Sequence, residues 1–177
     1  AARTVNHHLS LTSGFLKWCV RMGRLGSNPA QVLPFADEAK DRRRERRSLS
    51  PVELHRLFEV AGPRGRLLWY MAALWAGLRR SDLMRLRWGD VDFENRLLLI
   101  KGGKSGRSER VALHPDLLAE LRKAKPKLVH PTGKVFPTTV TNETRKKDFL
   151  RAGIELIDSE GRYADLHALR TTFGTMI

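Results

Sequence analysis

At 177 residues, with 33 Lys and Arg against 19 Asp and Glu, the chain carries a formal net charge of +14. A composition 41% hydrophobic and 29% charged, with mean hydropathy −0.39, excludes a disordered, fibrous or membrane-embedded class. The sequence pI near 10.8 makes a polyanion the default partner, nucleic acid first.

Val5, Leu9, Phe15, Leu16, Cys19 and Met22 recur at a spacing near that of a helical turn and predict an amphipathic helix ending between Gly23 and Pro29. One helix cannot bury its own stripe, so partners upstream of residue 1 are expected. The start AARTVNHH has no signal-peptide core and the chain has no lipidation motif. A cytoplasmic, nucleoid-associated protein is therefore expected. Cys19 is expected to be a buried thiol. Residues 34–47 are expected to form a linker, with DRRRERR at 41–47 too charged to pack and able to follow a backbone of phosphates.

Ser50-Pro51-Val52-Glu53 carries the signature of a capping box with proline at the first helical position. Residues 65–76 predict a strongly apolar helix that Gly77 terminates, and a short helix starts near Ser81. Leu97–Ile100 and Arg110–Leu113 flank a Gly-rich, basic tip and predict two strands in a hairpin. Further helices are predicted from His114 to about Lys125, over 142–156 with Lys146, Lys147 and Arg151 exposed, and from near Asp165. The class is α+β, mainly α, with a small antiparallel sheet.

No metal-binding or nucleotide-binding spacing is present, and no cofactor is expected. What remains is a set of basic groups on separate segments: Arg79 in GLRRSDL, Lys104 in KGGKSGRSERVAL, and His167 with Arg170 in LHALR. Two planar guanidiniums can donate paired hydrogen bonds to the nonbridging oxygens of a phosphorane-like transition state. A lysine on a hairpin can protonate a leaving 5′-oxygen, with Lys101 a nearby competitor for that role, and an imidazole can shuttle a proton or orient the phosphate. His167 and Arg170, three residues apart, share a helix face. Asp82, one turn after Arg79, is placed to hold that guanidinium or the histidine. Double-stranded DNA is the expected partner, with Arg42, Arg43, Arg44, Arg80, Lys101, Ser105, Arg107, Arg145, Lys146 and Lys147 as contact candidates. His7, His8, His55, His114 and His130 lack ligand spacing and are assigned to surface or capping roles. Trp69 and Trp75 are expected to pack in the core rather than stack on bases.

GLRRSDLMRLRWGDVDF, KSGRSERVAL and LHALRTTF resemble, in order and spacing, the conserved boxes of the tyrosine recombinases, the phage integrase family. The resemblance extends to VNHHLSLTSGFLKWCVRMGRLGSNPA, similar to the end of the family's core-binding domain, to RRSLSPVELHRLF and to FLRAGI. It implies that residues 1–33 belong to a core-binding domain, 34–47 to a basic linker and 48–177 to a catalytic domain. It implies that Arg79 and Arg170 clamp the scissile phosphate, that Lys104 is the general acid, that His167 is the box II histidine, and that Asp82 supports them. Thr171 stands where many relatives have a second histidine, and Ala112 where proline is common. The resemblance further implies a nucleophilic tyrosine several turns beyond Arg170, yet the chain's tyrosines, Tyr70 and Tyr163, both precede it. The parent is thus expected to perform site-specific recombination as a tetramer, from a phage or another mobile element or in chromosome-dimer resolution. These residues alone are expected to bind DNA as a monomer without cutting it. A non-catalytic DNA-binding remnant, or a recombinase given its tyrosine in trans, shares every residue named.

Overall fold

A polar residue, Asn6, ties together the first part of the chain. It lies on helix α1 (Ala2–Arg21), and its buried amide accepts from the Ala36 backbone at 2.8 Å and donates to the Ala36 carbonyl at 2.9 Å and to Glu38 at 3.0 Å. The computed structural model describes residues 1–41, 45–101 and 108–176, which divide into two units, Ala1–Glu45 and Arg46–Ile177. Residues 34–41, expected in a linker, are thus part of the first unit. The Asn6 amide satisfies backbone groups of this returning segment that a free linker would leave to water.

The predicted apolar stripe of α1 is divided. Cys19 is buried as expected, and Leu9 and Leu16 are half-buried along the side covered by the return segment and a 3-10 turn, Pro29–Val32. Val5, Phe15 and Met22 are exposed within this unit.

The second unit begins with Arg46 and Arg47, and here the expectation that the charged run does not pack fails. Arg47 donates to both carboxylate oxygens of Glu53 at 2.9 and 2.7 Å and to the Glu155 carbonyl at 3.1 Å, leaving its side chain 13% exposed. The guanidinium holds the Glu53 carboxyl below the usual carboxylate range. Glu53 also closes the predicted capping box at the start of α2 (Pro51–Ala61): Ser50 Oγ accepts from the Glu53 amide, and Glu53 accepts from the Ser50 amide at 2.8 Å. Replacing Ser50 with alanine removes one half of that exchange and is expected to cost about 1 kcal/mol in urea unfolding, with the slope unchanged.

Helix α3 (Leu67–Trp75) is apolar on all sides, and Trp69–Leu74 are buried. A helix with no polar face has to be central. It packs against α2, α5 (Pro115–Ala124) and α7 (Leu166–Met176). Trp69 is in the core as expected, whereas Trp75 is half-buried and stacks on His114 at a centroid distance of 3.9 Å. His114 in turn caps α5 through the Asp116 amide.

Helix α4 (Arg80–Arg85) leads through Trp88–Asp90 into a three-stranded antiparallel sheet of order β1-β2-β3: Val91–Asp92, Leu97–Ile100 and Glu109–Ala112. Leu97 pairs with Ala112 and Ile100 with Glu109. The two predicted strands are present. The third is a two-residue strand with no period of its own to read. Helix α6 (Asn142–Arg151) ends five residues before the predicted limit, because Gly153 takes φ +66° and turns the chain. The mainly α, α+β class with a small antiparallel sheet is the class expected from sequence.

Candidate nucleic-acid interface

Arg79 stands at the N-terminal end of α4, exposed, with an extended backbone. The turn that holds it is built by Asp82, whose buried carboxylate accepts from the Arg79 amide at 3.2 Å. Asp82 also accepts from Ser81 and Arg85 at 3.4 and 3.5 Å. It therefore holds the backbone of Arg79 rather than its guanidinium or His167, because one turn of helix aims a carboxylate at the preceding amides. This is a correction to the expected side-chain contact.

Opposite lies α7. Asp165 caps it, accepting from the His167 and Ala168 amides at 2.8 and 3.2 Å. His167 and Arg170 occupy its first turn and a half. Arg170 donates from Nη1 to the carbonyl of Gly77, the residue that ends α3. Gly77 has φ +55°, and a Cβ there would lie 2.8 Å from the Phe173 ring. The glycine of the GLRR box thus serves as helix terminator, as seat for α7 and as acceptor for Arg170.

Arg79, Arg80, His167, Arg170 and Asp165 line one pocket of about 370 Å³, together with Ser81 and Asn142. Burial, with Arg46, Arg170 and Arg79 near by, pushes the His167 imidazole below its ordinary value despite Asp165, so the neutral ring is favoured at neutral pH. It can then accept a hydrogen bond from a phosphate-bound or leaving-group proton.

The other sequence candidates fall differently. Lys104, Ser105 and Arg107, and Arg42, Arg43 and Arg44, lie outside the described residues. The Lys101 ammonium sits 2.6 Å from Asp90, a nearly buried carboxylate whose other oxygen accepts from the Arg87 amide. Lys146 and Lys147 are exposed on α6. Arg145 is not: it is 7% exposed, donates to the Ala164 carbonyl at 3.1 Å, and lies over the Phe149 ring. Its place among surface contacts is corrected, since it shares a helix face with Asp148, Phe149 and Ala152 and that face is core. Sequence reasoning also passed over Asp165 and Arg46. An Asp just before a helix is a recognisable cap signal, but nothing in a run of arginines tells which one is paired.

Neither tyrosine lines the pocket. Tyr70 is fully buried and donates to Asp148 at 2.9 Å, and burial together with that carboxylate raises its phenol well above the ordinary value. Tyr163 accepts from the Arg47 amide through its carbonyl. Among the described residues no cluster of His, Cys, Asp and Glu could hold a metal ion, and no helix is long and apolar enough to cross a membrane.

A helical unit with one small three-stranded antiparallel sheet is the fold of solved integrases. A lambda integrase dimer bound to a COC′ core site superposes with a TM-score of 0.72 at 19% identity, over 97% of this chain and 51% of that one. Residues 47–177, well over half of the chain, match the family model described as Phage integrase family. The chain belongs to that family, the tyrosine recombinases. It is 40% identical to tyrosine recombinase XerA of Thermococcus onnurineus (strain NA1) over 81 residues, 44% of this chain and 28% of the relative. It is 26% identical to tyrosine recombinase XerC of Xanthomonas axonopodis pv. citri (strain 306) over 185 residues, covering 100% of this chain and 59% of the relative. The chain thus spans between about a quarter and three fifths of these curated relatives.

Proposed function

We propose that residues 48–177 supply the phosphate clamp of a site-specific DNA recombinase, preceded by the end of a core-binding domain in 1–33 and a basic connection. The observation that carries this reading is the convergence of Arg79, His167 and Arg170, from α4 and α7, on one pocket. The two guanidiniums bind the nonbridging oxygens of the scissile phosphate and stabilise the charge that grows on them as an oxygen nucleophile attacks phosphorus. Neutral His167 orients the phosphate or takes a proton. Lys104 is the general acid that protonates the departing 5′-oxygen. In the whole protein the nucleophile is a tyrosine, which leaves a 3′-phosphotyrosine. Breaking and rejoining through that ester conserves the bond energy, so no ATP is consumed.

Neither Tyr70 nor Tyr163 fills that role, so these 177 residues bind duplex DNA without forming the covalent adduct. The whole recombinase acts in the cytoplasm as a tetramer on two duplexes, in integration, excision or resolution. The lambda integrase structure, bound to its core site, supports duplex DNA as the partner.

Fluorescence anisotropy with a labelled duplex and a denaturing gel with a nicked suicide substrate test this reading. Arg79→Ala and Arg170→Ala are each expected to weaken binding by roughly tenfold and to reduce the salt slope by about one. No denaturant-resistant adduct is expected. Equal losses at Arg79, Arg170 and Arg43 would reduce the clamp to general electrostatics, and an adduct on Tyr70 or Tyr163 would overturn the assignment of the nucleophile.

A further inference from the structure

Among the described residues, Asp165 is the one carboxylate that lines the pocket with Arg79, His167 and Arg170. A fixed negative charge beside a phosphate site repels the ligand unless something neutralises it. Its partner is Arg46, whose Nε donates to Asp165 at 3.2 Å through Oδ1 and 3.0 Å through Oδ2. The same carboxylate caps the first turn of α7 through the His167 and Ala168 amides. Arg46 itself is held in register by a parallel bridge to Tyr163, next to the bond from the Arg47 amide to the Tyr163 carbonyl. On the other side, buried Arg145 holds the Ala164 carbonyl. The segment 163–165, from which α7 starts, is therefore gripped from two directions; Arg145 feels the Asp165 charge from a distance, and Arg46 is the cation hydrogen-bonded to it.

We propose that Arg46 is a positioning residue for the phosphate site: by engaging Asp165 it cancels the carboxylate at the pocket rim and holds the first turn of α7, on which His167 and Arg170 stand. The proposal rests on the phosphate-clamp reading given above. Arg46 need not touch DNA to act. The pair is partly exposed, 37% and 30% by side chain, so it contributes little to folding and can be removed without unfolding the protein. The groups facing His167 are Arg46, Asp165, Arg170 on its own helix and Arg79 across the pocket. Losing Arg46 removes one cation and leaves Asp165 without its hydrogen-bonded partner, with Arg145 the more distant cation that remains, and both changes favour the imidazolium.

Two measurements on the 177-residue chain test this, with Arg46→Gln, Arg46→Lys, Asp165→Asn and the double variant Arg46→Gln/Asp165→Asn. In an NMR titration of the His167 ring, Arg46→Gln is expected to raise the midpoint by about half a pH unit or more, while Arg46→Lys keeps it near that of the unsubstituted chain. In anisotropy with a labelled duplex, Arg46→Gln is expected to lose roughly three- to tenfold in affinity, and the double variant to regain most of it because the pocket's charge balance is restored. An unmoved His167 midpoint in Arg46→Gln would overturn the proposal. So would a double variant as weak as Arg46→Gln, which would make Arg46 a direct DNA contact. Failure of the clamp reading is separately visible: Arg79→Ala and Arg170→Ala would then bind normally, while the His167 titration still reports on Arg46.

Discussion

Replacing Asp148 with alanine is expected to lower the stability of the chain by about 3 kcal/mol, seen as a drop of roughly 10 °C in the thermal midpoint by circular dichroism. Asp148 on α6 is fully buried and accepts from three donors: Arg66 Nε at 2.7 Å, Arg66 Nη2 at 2.5 Å and the Tyr70 hydroxyl at 2.9 Å. Breaking a buried pair by deleting one partner costs about 3–5 kcal/mol, because the survivor keeps a desolvated charge. The lower end applies here, since the Arg66 side chain is 23% exposed and its stranded charge can reach water. The Tyr70 hydroxyl cannot, and its lost bond accounts for about 1–3 kcal/mol of the total. Tyr70→Phe, which removes donor and unmet need together, is expected to cost much less. The pH dependence follows from the same contacts. Burial alone would raise the Asp148 carboxyl, but the bonds from Arg66 and Tyr70 outweigh it and hold the folded value below the ordinary one. Its contribution is therefore fully present above the unfolded carboxylate value, about 3.9, and is lost as pH falls below that through the lower folded value. The gap in stability between the unsubstituted chain and Asp148→Ala should be constant from pH 5 to 8 and narrow below about pH 4. A gap that stays constant into that acid range would place the effect in packing rather than charge.

This network also marks where sequence reasoning stops. Elements with a local cause were legible: the Ser50–Glu53 capping box, the all-apolar α3 with its terminating glycine, the two hairpin strands, and a last helix starting near Asp165. The residue types and order of Arg79, His167 and Arg170 suggest a phosphate clamp, and the fold brings the three to one pocket. What was not legible depends on partners far along the chain. Arg145 reads as one more cation in a basic helix until the fold turns it onto Phe149 and the Ala164 carbonyl. Arg47 reads as part of a solvated run until Glu53 faces it. Asp82 was placed near Arg79 correctly by the one-turn spacing, but spacing does not say whether a carboxylate meets a guanidinium or a backbone amide. Asp165 and Arg46 are separated by more than a hundred residues, and no periodicity connects them.

Gly77→Ala is expected to damage fold and site together, and the combination makes it the sharper test of how α3 positions α7. The residue has φ +55°, a conformation that costs a residue bearing a Cβ about 1–2 kcal/mol. The added methyl would also lie 2.8 and 3.2 Å from two atoms of the Phe173 ring, so α7 or the ring must move, at a further cost of about 1–3 kcal/mol. A total near 3 kcal/mol is expected in urea unfolding. The consequence for the site comes from geometry, because Phe173 lies one turn beyond Arg170 on α7 and the Gly77 carbonyl is the acceptor that holds Arg170. Relief of the clash pushes α7 away from α3 and slackens that bond, so the Arg170 guanidinium is no longer fixed opposite Arg79. Duplex affinity should therefore fall even under conditions where circular dichroism reports a fully folded chain. Gly77→Ala/Phe173→Leu tests the cause: a smaller side chain at 173 relieves the contact but not the backbone strain. Partial recovery of stability with recovery of binding would assign the loss of binding to the displaced helix. If binding stays weak while stability recovers, the backbone turn at Gly77, and not the seating of α7, sets the position of Arg170.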